Sequence, residues 1–477
     1  MLNKTERAPW WAYASLVIAG LVAFWPSVWF DFVNWDDPAY VLNNNLIRSW
    51  SPFNLWDVAT ETVTRNYAPL TILSLLVDHT LWGMNPCGYH ATNVLLHVVN
   101  GLLVFVLVRQ LTGKQFVAWV TAALFLVHPV QIETVAWISS RKGLLSASFM
   151  LSALIVRLKP ETSPKNDAWY TVWLAAALLS KALAVVLPAI VLAYDIWVRR
   201  QKFADAFARQ IIPGVMCLLL LFKTMAAQHS ILGGVRGHLD YSIWQIMAID
   251  TTIMWRYIGM LFWPTDLCVL YDPPTTGIWK MVALATAGWL VVGALIHRLR
   301  RHSPTILWAA VTYLVLLLPV LNFFKITTMM NDRYLYLPCI IIFGLVAAGT
   351  QKLFEVSEDR GEDVLRYLAG SMKWAIGMTA VCGALMATSR HLPVWRNPDS
   401  LWAHAMTKVP QLPVVRMQVA LTRYDSGRPR EAIRTLQRAL LECEPDELDR
   451  QRMTSAIRSW SEEVQTRSAD NVRPIRR

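Results

Sequence analysis

Long apolar runs separated by short, often basic stretches recur along most of the chain. They lie near residues 11–30, 89–109, 116–131, 143–158, 168–180, 182–198, 209–226, 277–297, 303–321, 334–350 and 372–389. Runs of this length read as membrane-crossing helices, about eleven of them, although several fall short of the roughly 20 residues that a normal crossing needs. The first is too long for the apolar part of a cleaved signal and lacks a small-residue cleavage site, so it reads as a retained helix. The fold expected is an all-α polytopic membrane protein.

Flanking charges set the orientation. Arg157-Leu158-Lys159 precedes the run 168–198 and Arg199-Arg200-Gln201-Lys202 follows it. Both clusters prefer the cytoplasm, which asks for two short helices turning at Lys181 rather than one long helix. The apolar stretch 243–263 carries Asp250 and Arg256, and a crossing there would send Arg298–Arg301 outward. It is expected as an interfacial or re-entrant helix on the outer side. The N-terminus then lies inside. The first loop 31–88, loop 132–142, the tip at Lys181, loops 227–276 and 322–333 and the C-terminus all lie outside, and 351–366 reads as a solvated connector.

After Arg390 the apolar runs stop. Pro413–Pro445 reads as two amphipathic helices, and Ala420, Tyr424, Gly427, Ala432, Leu436 and Ala439 follow the spacing of a tetratricopeptide repeat. Small alanines let paired helices approach, and Gly427 closes the turn between them. The expected division is a membrane domain over 1–390, a repeat-like helical domain over 391–465 and a polar disordered tail over 466–477.

Composition supports the membrane reading: charged residues are 16% of 477, against about 25% in soluble proteins. The net charge of +12 sits largely at helix ends and reads as a topology signal, so the partners expected are membrane lipids and not nucleic acid. The six cysteines form no metal spacing, and sequence gives a Cys87–Cys268 disulfide little support.

Four polar clusters stand out at outer helix ends. Asn34-Trp35-Asp36-Asp37 places two carboxylates at the membrane rim, pointing in different directions. Asp36 is the candidate base; Asp37 is a second candidate, or it caps a helix beginning at Pro38. His128-Pro129 with Glu133, Arg141 and Lys142 forms the second cluster, and Asp332-Arg333-Tyr334 the third. Lys181 is the fourth. Arg141, Lys142, Lys181 and Arg333 suit an anionic phosphate, arginine through paired hydrogen bonds. Asn34, Arg65, Tyr67, His90, His128, Glu133, Asp332 and Tyr334 are the candidate substrate contacts. His90 and His97 share a helix face but read as packing rather than a metal pair, and two adjacent Asp without a third ligand are weak evidence for a cation. No metal ligands are assigned and no cofactor is required, with dependence on a divalent metal left open. No Gly-rich nucleotide loop occurs, which argues against a reaction driven by ATP or a nucleotide sugar.

Several stretches together resemble a known family. They are Val33-Asn34-Trp35-Asp36-Asp37, Tyr67-Ala68-Pro69-Leu70-Thr71, Gly88-Tyr89-His90 through His97, His128-Pro129-Val130 with Ala136-Trp137-Ile138, Leu179-Ser180-Lys181, and Asp332-Arg333-Tyr334-Leu335-Tyr336-Leu337-Pro338. In this order they resemble the transmembrane-and-tetratricopeptide-repeat O-mannosyltransferases and their bacterial relatives, which are GT-C membrane glycosyltransferases. The resemblance implies inverting transfer of mannose or another hexose from a polyprenyl-phosphate donor to an acceptor hydroxyl, on a protein or an envelope glycan. It also implies an active site on the outer face of a bacterial inner membrane, with the Asp36-Asp37 pair carrying the base and the repeats offered to an acceptor. The chain departs from the family pattern at Ala182, where an acidic residue is usual, and at Ser140-Arg141-Lys142-Gly143, where the family often has Gly-Arg-Ala-Asp, so that Lys142 adds a cation and Gly143 lacks the carboxylate. Two other classes remain in view: a lipid-carrier transporter or flippase, and a non-catalytic repeat scaffold for envelope assembly.

Overall fold

A computed structural model describes residues 8–161, 163–229, 241–301, 303–323, 328–358 and 363–470. Among them all the regular elements are helices joined by loops, and the one β-type contact is an isolated bridge between Val63 and Asn66. Proline opens many of the helices, including Pro86–Thr112, Pro164–Ser180, Pro304–Leu317 and Pro398–Lys408. Its fixed φ suits the first turn, where its missing N–H has no intrahelical acceptor to lose. Side-chain oxygens of Asn85, Ser163 and Asn397 cap three of these starts.

The protein is an integral membrane protein by its helices. Trp10–Trp29, Pro86–Thr112, Trp279–Leu299, Pro338–Glu355 and Tyr367–Trp395 are each long and apolar enough to cross a bilayer. A sixth crossing is available if Gln115–Val127 and Pro129–Ala136, bent by 54°, count as one. Pro129 stands at the bend, where it removes a helical hydrogen bond. The count of eleven read from hydropathy is not established, because the remaining segments are shorter apolar helices such as Ala182–Trp197 and Pro304–Val320. Trp279–Leu299 buries little beyond Ala285 and exposes Leu284, Leu290 and Val291. Such a surface is stable only against lipid.

The centre of the bundle is tightly packed. Helices Trp10–Phe24, Pro86–Thr112 and Gln115–Val127 meet at Gly101, where an added Cβ would stand 2.3 Å from Leu126 Cδ2. Small residues are what allow such close helix approach in a membrane.

The chain breaks at Lys181, as the flanking charges require. Pro164–Ser180 ends there, and a 3-10 turn from Ala182 leads into Leu187–Trp197. The return is pinned at the far end: Asp195 pairs with Arg157 at 2.5 Å and with Arg199 at 2.8 Å, and Arg199 also reaches the carbonyl of Arg157 at 3.0 Å. The chain thus runs away along one helix and returns along the other, and Arg157 and Arg199 share one end of the bundle.

The segment Ile243–Phe262 is a single helix that runs along the opposite end. Over its length Asp250 accepts from the Asn322 amide at 2.6 Å, the Tyr257 hydroxyl accepts from Asn331 N at 3.3 Å, and the Leu261 carbonyl meets His128 Nε2 at 3.1 Å. These three partners all lie in turns between helices. The stretch 351–366, expected as a connector, is helical through Glu358, and residues 359–362 lie outside the described ones.

Beyond His391 the chain forms Pro398–Lys408, Pro413–Asp425, Pro429–Glu442 and Glu447–Asp470. Ala420, Ala432, Leu436, Ala439, Met453 and Trp460 make a separate small core between the last three. Gly427 adopts φ +75° at the turn between the first pair, a left-handed conformation that glycine takes without steric cost. The last helix continues through Asp470, past the start of the expected tail, and residues 471–477 lie outside the described ones. All six cysteines are free, Cys87 and Cys268 included.

Candidate active site

The loop after the first helix folds back onto the 137–142 turn, and the two adjacent carboxylates separate there. Asp37 is buried and accepts from Val33 N at 3.0 Å, Ser139 N at 3.0 Å and Ser139 Oγ at 2.5 Å. Burial pushes its carboxyl up to about 6, while the bonds from Ser139 and Val33 pull the other way. It stands at the first turn of Pro38–Leu42, but its side chain makes no cap hydrogen bond there. Its geometry is that of a tie between two loops. Asp36 is different: its side chain is 30% exposed and lies 3.6 Å from Lys142 Nζ.

Lys142 is held on three sides. It sits 4.5 Å from the Tyr40 ring centroid and 3.2 Å from the Tyr40 hydroxyl, with the Trp137 ring 5.9 Å away. The other face of the aromatic cluster takes Arg333, whose guanidinium lies 5.4 Å from Trp137 and 5.3 Å from Tyr334. Guanidinium and ammonium groups favour ring faces in this way. Glu133 fixes Arg333 from below: one carboxylate oxygen pairs with its guanidinium and the other accepts from its backbone N at 2.8 Å.

Lys181 completes a group of three cations. It lines a slot with Arg333, Tyr334, Thr134 and Ser140, and Met150, Leu183, Leu316 and Leu337 add apolar lining. Burial first, then the charges of Lys142 and Arg333, pulls Lys181 down to about 7. Cationic and aliphatic side chains thus line one narrow slot.

The other expected contacts fall elsewhere. Arg141 does not face the slot. It is fully buried and pairs with Asp78 at 2.7 Å, donates to the Tyr89 carbonyl at 2.8 Å and binds the Asn93 side chain. Its place among the phosphate ligands is corrected to an internal ion pair, since a buried carboxylate needs a cation beside it. Asn34 is engaged within the protein. It bonds Trp402 and Thr422 of the C-terminal helices. His128 is a satisfied core histidine, Nε2 on the Leu261 carbonyl and Nδ1 accepting from Val130 N at 3.2 Å. His90 is buried edge-on to Phe30 with centroids 6.3 Å apart, away from the slot. Tyr67 donates to the Ala59 carbonyl at 2.8 Å and lies under Lys223, while Arg65 holds a left-handed φ of +63° in the same loop. Asp332 is buried and receives the Tyr271 hydroxyl; burial and the neighbouring Glu133 charge push its carboxyl well above the ordinary range. Sequence reasoning missed Tyr40, Asp78, Ser139 and Tyr271. Tyr40 is four residues from Asp36, and that spacing alone could have signalled it.

His90 and His97 do not meet: His97 bonds the Tyr336 hydroxyl at 2.9 Å. Among the described residues no three His, Cys, Asp or Glu side chains gather around a point that would hold a metal ion.

The fold is similar to that of a solved membrane glycosyltransferase. The chain aligns with the Archaeoglobus fulgidus oligosaccharyltransferase at a TM-score of 0.50 and 14% identity, covering 83% of this chain and 58% of that one, a likeness of fold alone. By sequence the curated relatives are O-mannosyltransferases of the transmembrane-and-tetratricopeptide type, as the motifs imply. Human protein O-mannosyl-transferase TMTC4 is 23% identical over 91% of this chain and 66% of its own length. Human TMTC1 is 25% identical over 89% and 54%, and a Caenorhabditis elegans protein O-mannosyl-transferase 23% identical over 84% and 58%. The chain therefore spans between about half and two thirds of the length of the curated relatives it matches. No protein-family profile matches it.

Proposed function

We propose that the chain is an inverting glycosyltransferase that moves mannose or another hexose from a polyprenyl phosphate to an acceptor hydroxyl at the extracytoplasmic face of a bacterial inner membrane. One observation carries this reading. The half-buried carboxylate of Asp36 lies 3.6 Å from Lys142, and the cations Lys181 and Arg333 line a slot that also has apolar lining. Asp36 takes the proton of the acceptor hydroxyl as its oxygen bonds to the anomeric carbon. On the opposite side of that carbon the bond to the phosphate oxygen breaks. Its electron pair stays with the phosphate, where Lys142, Lys181 and Arg333 stabilise the charge. The aliphatic wall takes the first prenyl units, and the acceptor is a Ser or Thr hydroxyl or an envelope glycan.

The direct test incubates the purified full chain with a serine- and threonine-containing peptide and either polyprenyl-phosphate mannose or GDP-mannose. Transfer from the lipid donor alone is expected. Transfer from GDP-mannose in lipid-free detergent overturns the donor assignment. Three cations already supply the positive charge that a divalent ion would bring, so turnover in EDTA is expected to equal turnover without it.

Lys181 adds a pH dependence. Its ammonium in the free enzyme is charged below about 7 and neutral above it. Phosphate capture should therefore weaken as pH rises through that value, lowering kcat/KM for the donor. Lys181→Arg keeps its charge at every accessible pH and should flatten this limb. Identical profiles for the variant and the natural protein would remove Lys181 from the donor site.

A further inference from the structure

The C-terminal helices touch both halves of the candidate site. On the first side, Asn34 is clamped two residues from Asp36. Trp402 Nε1 donates to Asn34 Oδ1 at 2.6 Å, and Asn34 Nδ2 donates to Thr422 Oγ1 at 3.0 Å. Trp35 packs on Trp402 with centroids 5.3 Å apart, and Asp31 N donates to the Arg396 carbonyl at 2.9 Å. On the second side, His404 meets the Leu267 carbonyl at 3.0 Å, and Gln411, just past the same helix, donates to Asp272 at 2.8 Å. The 266–272 loop that they grip carries Tyr271, whose hydroxyl binds Asp332 beside Arg333.

We propose that helix Pro398–Lys408 is a brace of the active site, with Asn34, Trp402 and Thr422 as positioning residues that fix the backbone presenting Asp36. The inference rests on Asp36 as the base and gives the repeat region a role in the chemical step, apart from any acceptor it binds.

The contacts are unequal. The Lys408–Asp266 pair is open to solvent, with Asp266 79% exposed, and exposed pairs contribute little. The Trp402 contact is nearly sealed, with Trp402 only 1% exposed. An amide whose carbonyl and NH2 are both matched in such a place has one favourable orientation, and losing either partner strands a polar atom. The strand from Asp31 to Trp35 thus inherits the rigidity of the helices behind it. A base held loosely by even about 1 Å loses on the order of 100-fold in rate.

The test measures kcat and both KM values with polyprenyl-phosphate mannose and a serine/threonine peptide, in the full chain, alongside thermal melting. Trp402→Phe keeps an aromatic ring but removes the N–H together with the pyrrole half of the indole, so at this buried site it also leaves a cavity. Thr422→Val keeps the shape and removes the hydroxyl, while Thr422→Ser retains it. For Trp402→Phe we expect kcat to fall roughly 10- to 100-fold with both KM values unchanged. Thr422→Val should fall in the same direction and Thr422→Ser should return to the natural rate. A region that served only to hold the acceptor would instead raise the acceptor KM and leave kcat alone, and that result overturns the brace. If Trp402→Phe melts early, the Val/Ser pair at 422 decides the matter. An inactive Asp36→Asn beside fully active Trp402→Phe and Thr422→Val removes the brace and leaves the base standing; a fully active Asp36→Asn removes both.

Discussion

Asp36→Asn should lower kcat by roughly 100- to 10,000-fold, the range that a positioned general base contributes, while the protein still folds. The two halves of this expectation come from the same geometry. The Asp36 carboxylate is partly open, and Lys142 lies a loose 3.6 Å from it. An amide of the same shape takes its place at little structural cost. It cannot accept a proton from an attacking hydroxyl. The neighbouring residue offers an internal control. Asp37 receives donors from Val33 N, Ser139 N and Ser139 Oγ. An amide there turns one NH2 toward a donor, so Asp37→Asn should show its effect in melting temperature as much as in rate. Saturating donor and acceptor, with melting measured on the same preparations, separate the two. Undiminished turnover in Asp36→Asn would end its assignment as the base, and equal losses of stability in both variants would reduce the pair to scaffolding.

Arg141→Met should cost about 3–5 kcal/mol of stability, because it leaves a buried carboxylate without its cation. Both partners are sealed: the Arg141 and Asp78 side chains are 0% and 4% exposed. The double variant Arg141→Met with Asp78→Asn should recover most of that loss, since a buried ion pair replaced by neutral groups of similar size is often close to neutral. Denaturant or thermal unfolding in detergent reads both variants. The opposite pattern, unchanged stability with a raised donor KM, would return Arg141 to the phosphate site that its position in the sequence first suggested.

That first suggestion shows where sequence reading reaches and where it stops. Periodicity and flanking charge found the helices and the break at Lys181, because both signals are local. They also brought Asp36, Lys142, Lys181, Glu133 and Arg333 into one candidate group, because each stands at a helix end on the same end of the bundle. Direction is what the sequence could not supply. Arg141 and Lys142 are adjacent, yet the start of helix Arg141–Arg157 turns one inward to Asp78 and the other toward Asp36. Hydropathy does not say which of two neighbouring cations a buried carboxylate will capture. Asn34 failed for a related reason: its partner Thr422 is 388 positions away. His128 failed because an imidazole satisfied by two backbone groups has the same sequence signature as one facing a ligand.

The break at Lys181 also leaves two short helices side by side. Pro164–Ser180 has 17 residues, a rod of about 26 Å at 1.5 Å per residue, short of the roughly 30 Å hydrocarbon core. The returning segment is no longer, and it carries Asp195. That charge pairs with Arg199 four residues on and with Arg157, which also pairs with Asp167 at 3.2 Å. Each half is thus short for a lone crossing, and Arg157, paired with Asp167 near the start of one and with Asp195 near the end of the other, makes the two interdependent: loss of this one cation is expected to loosen both.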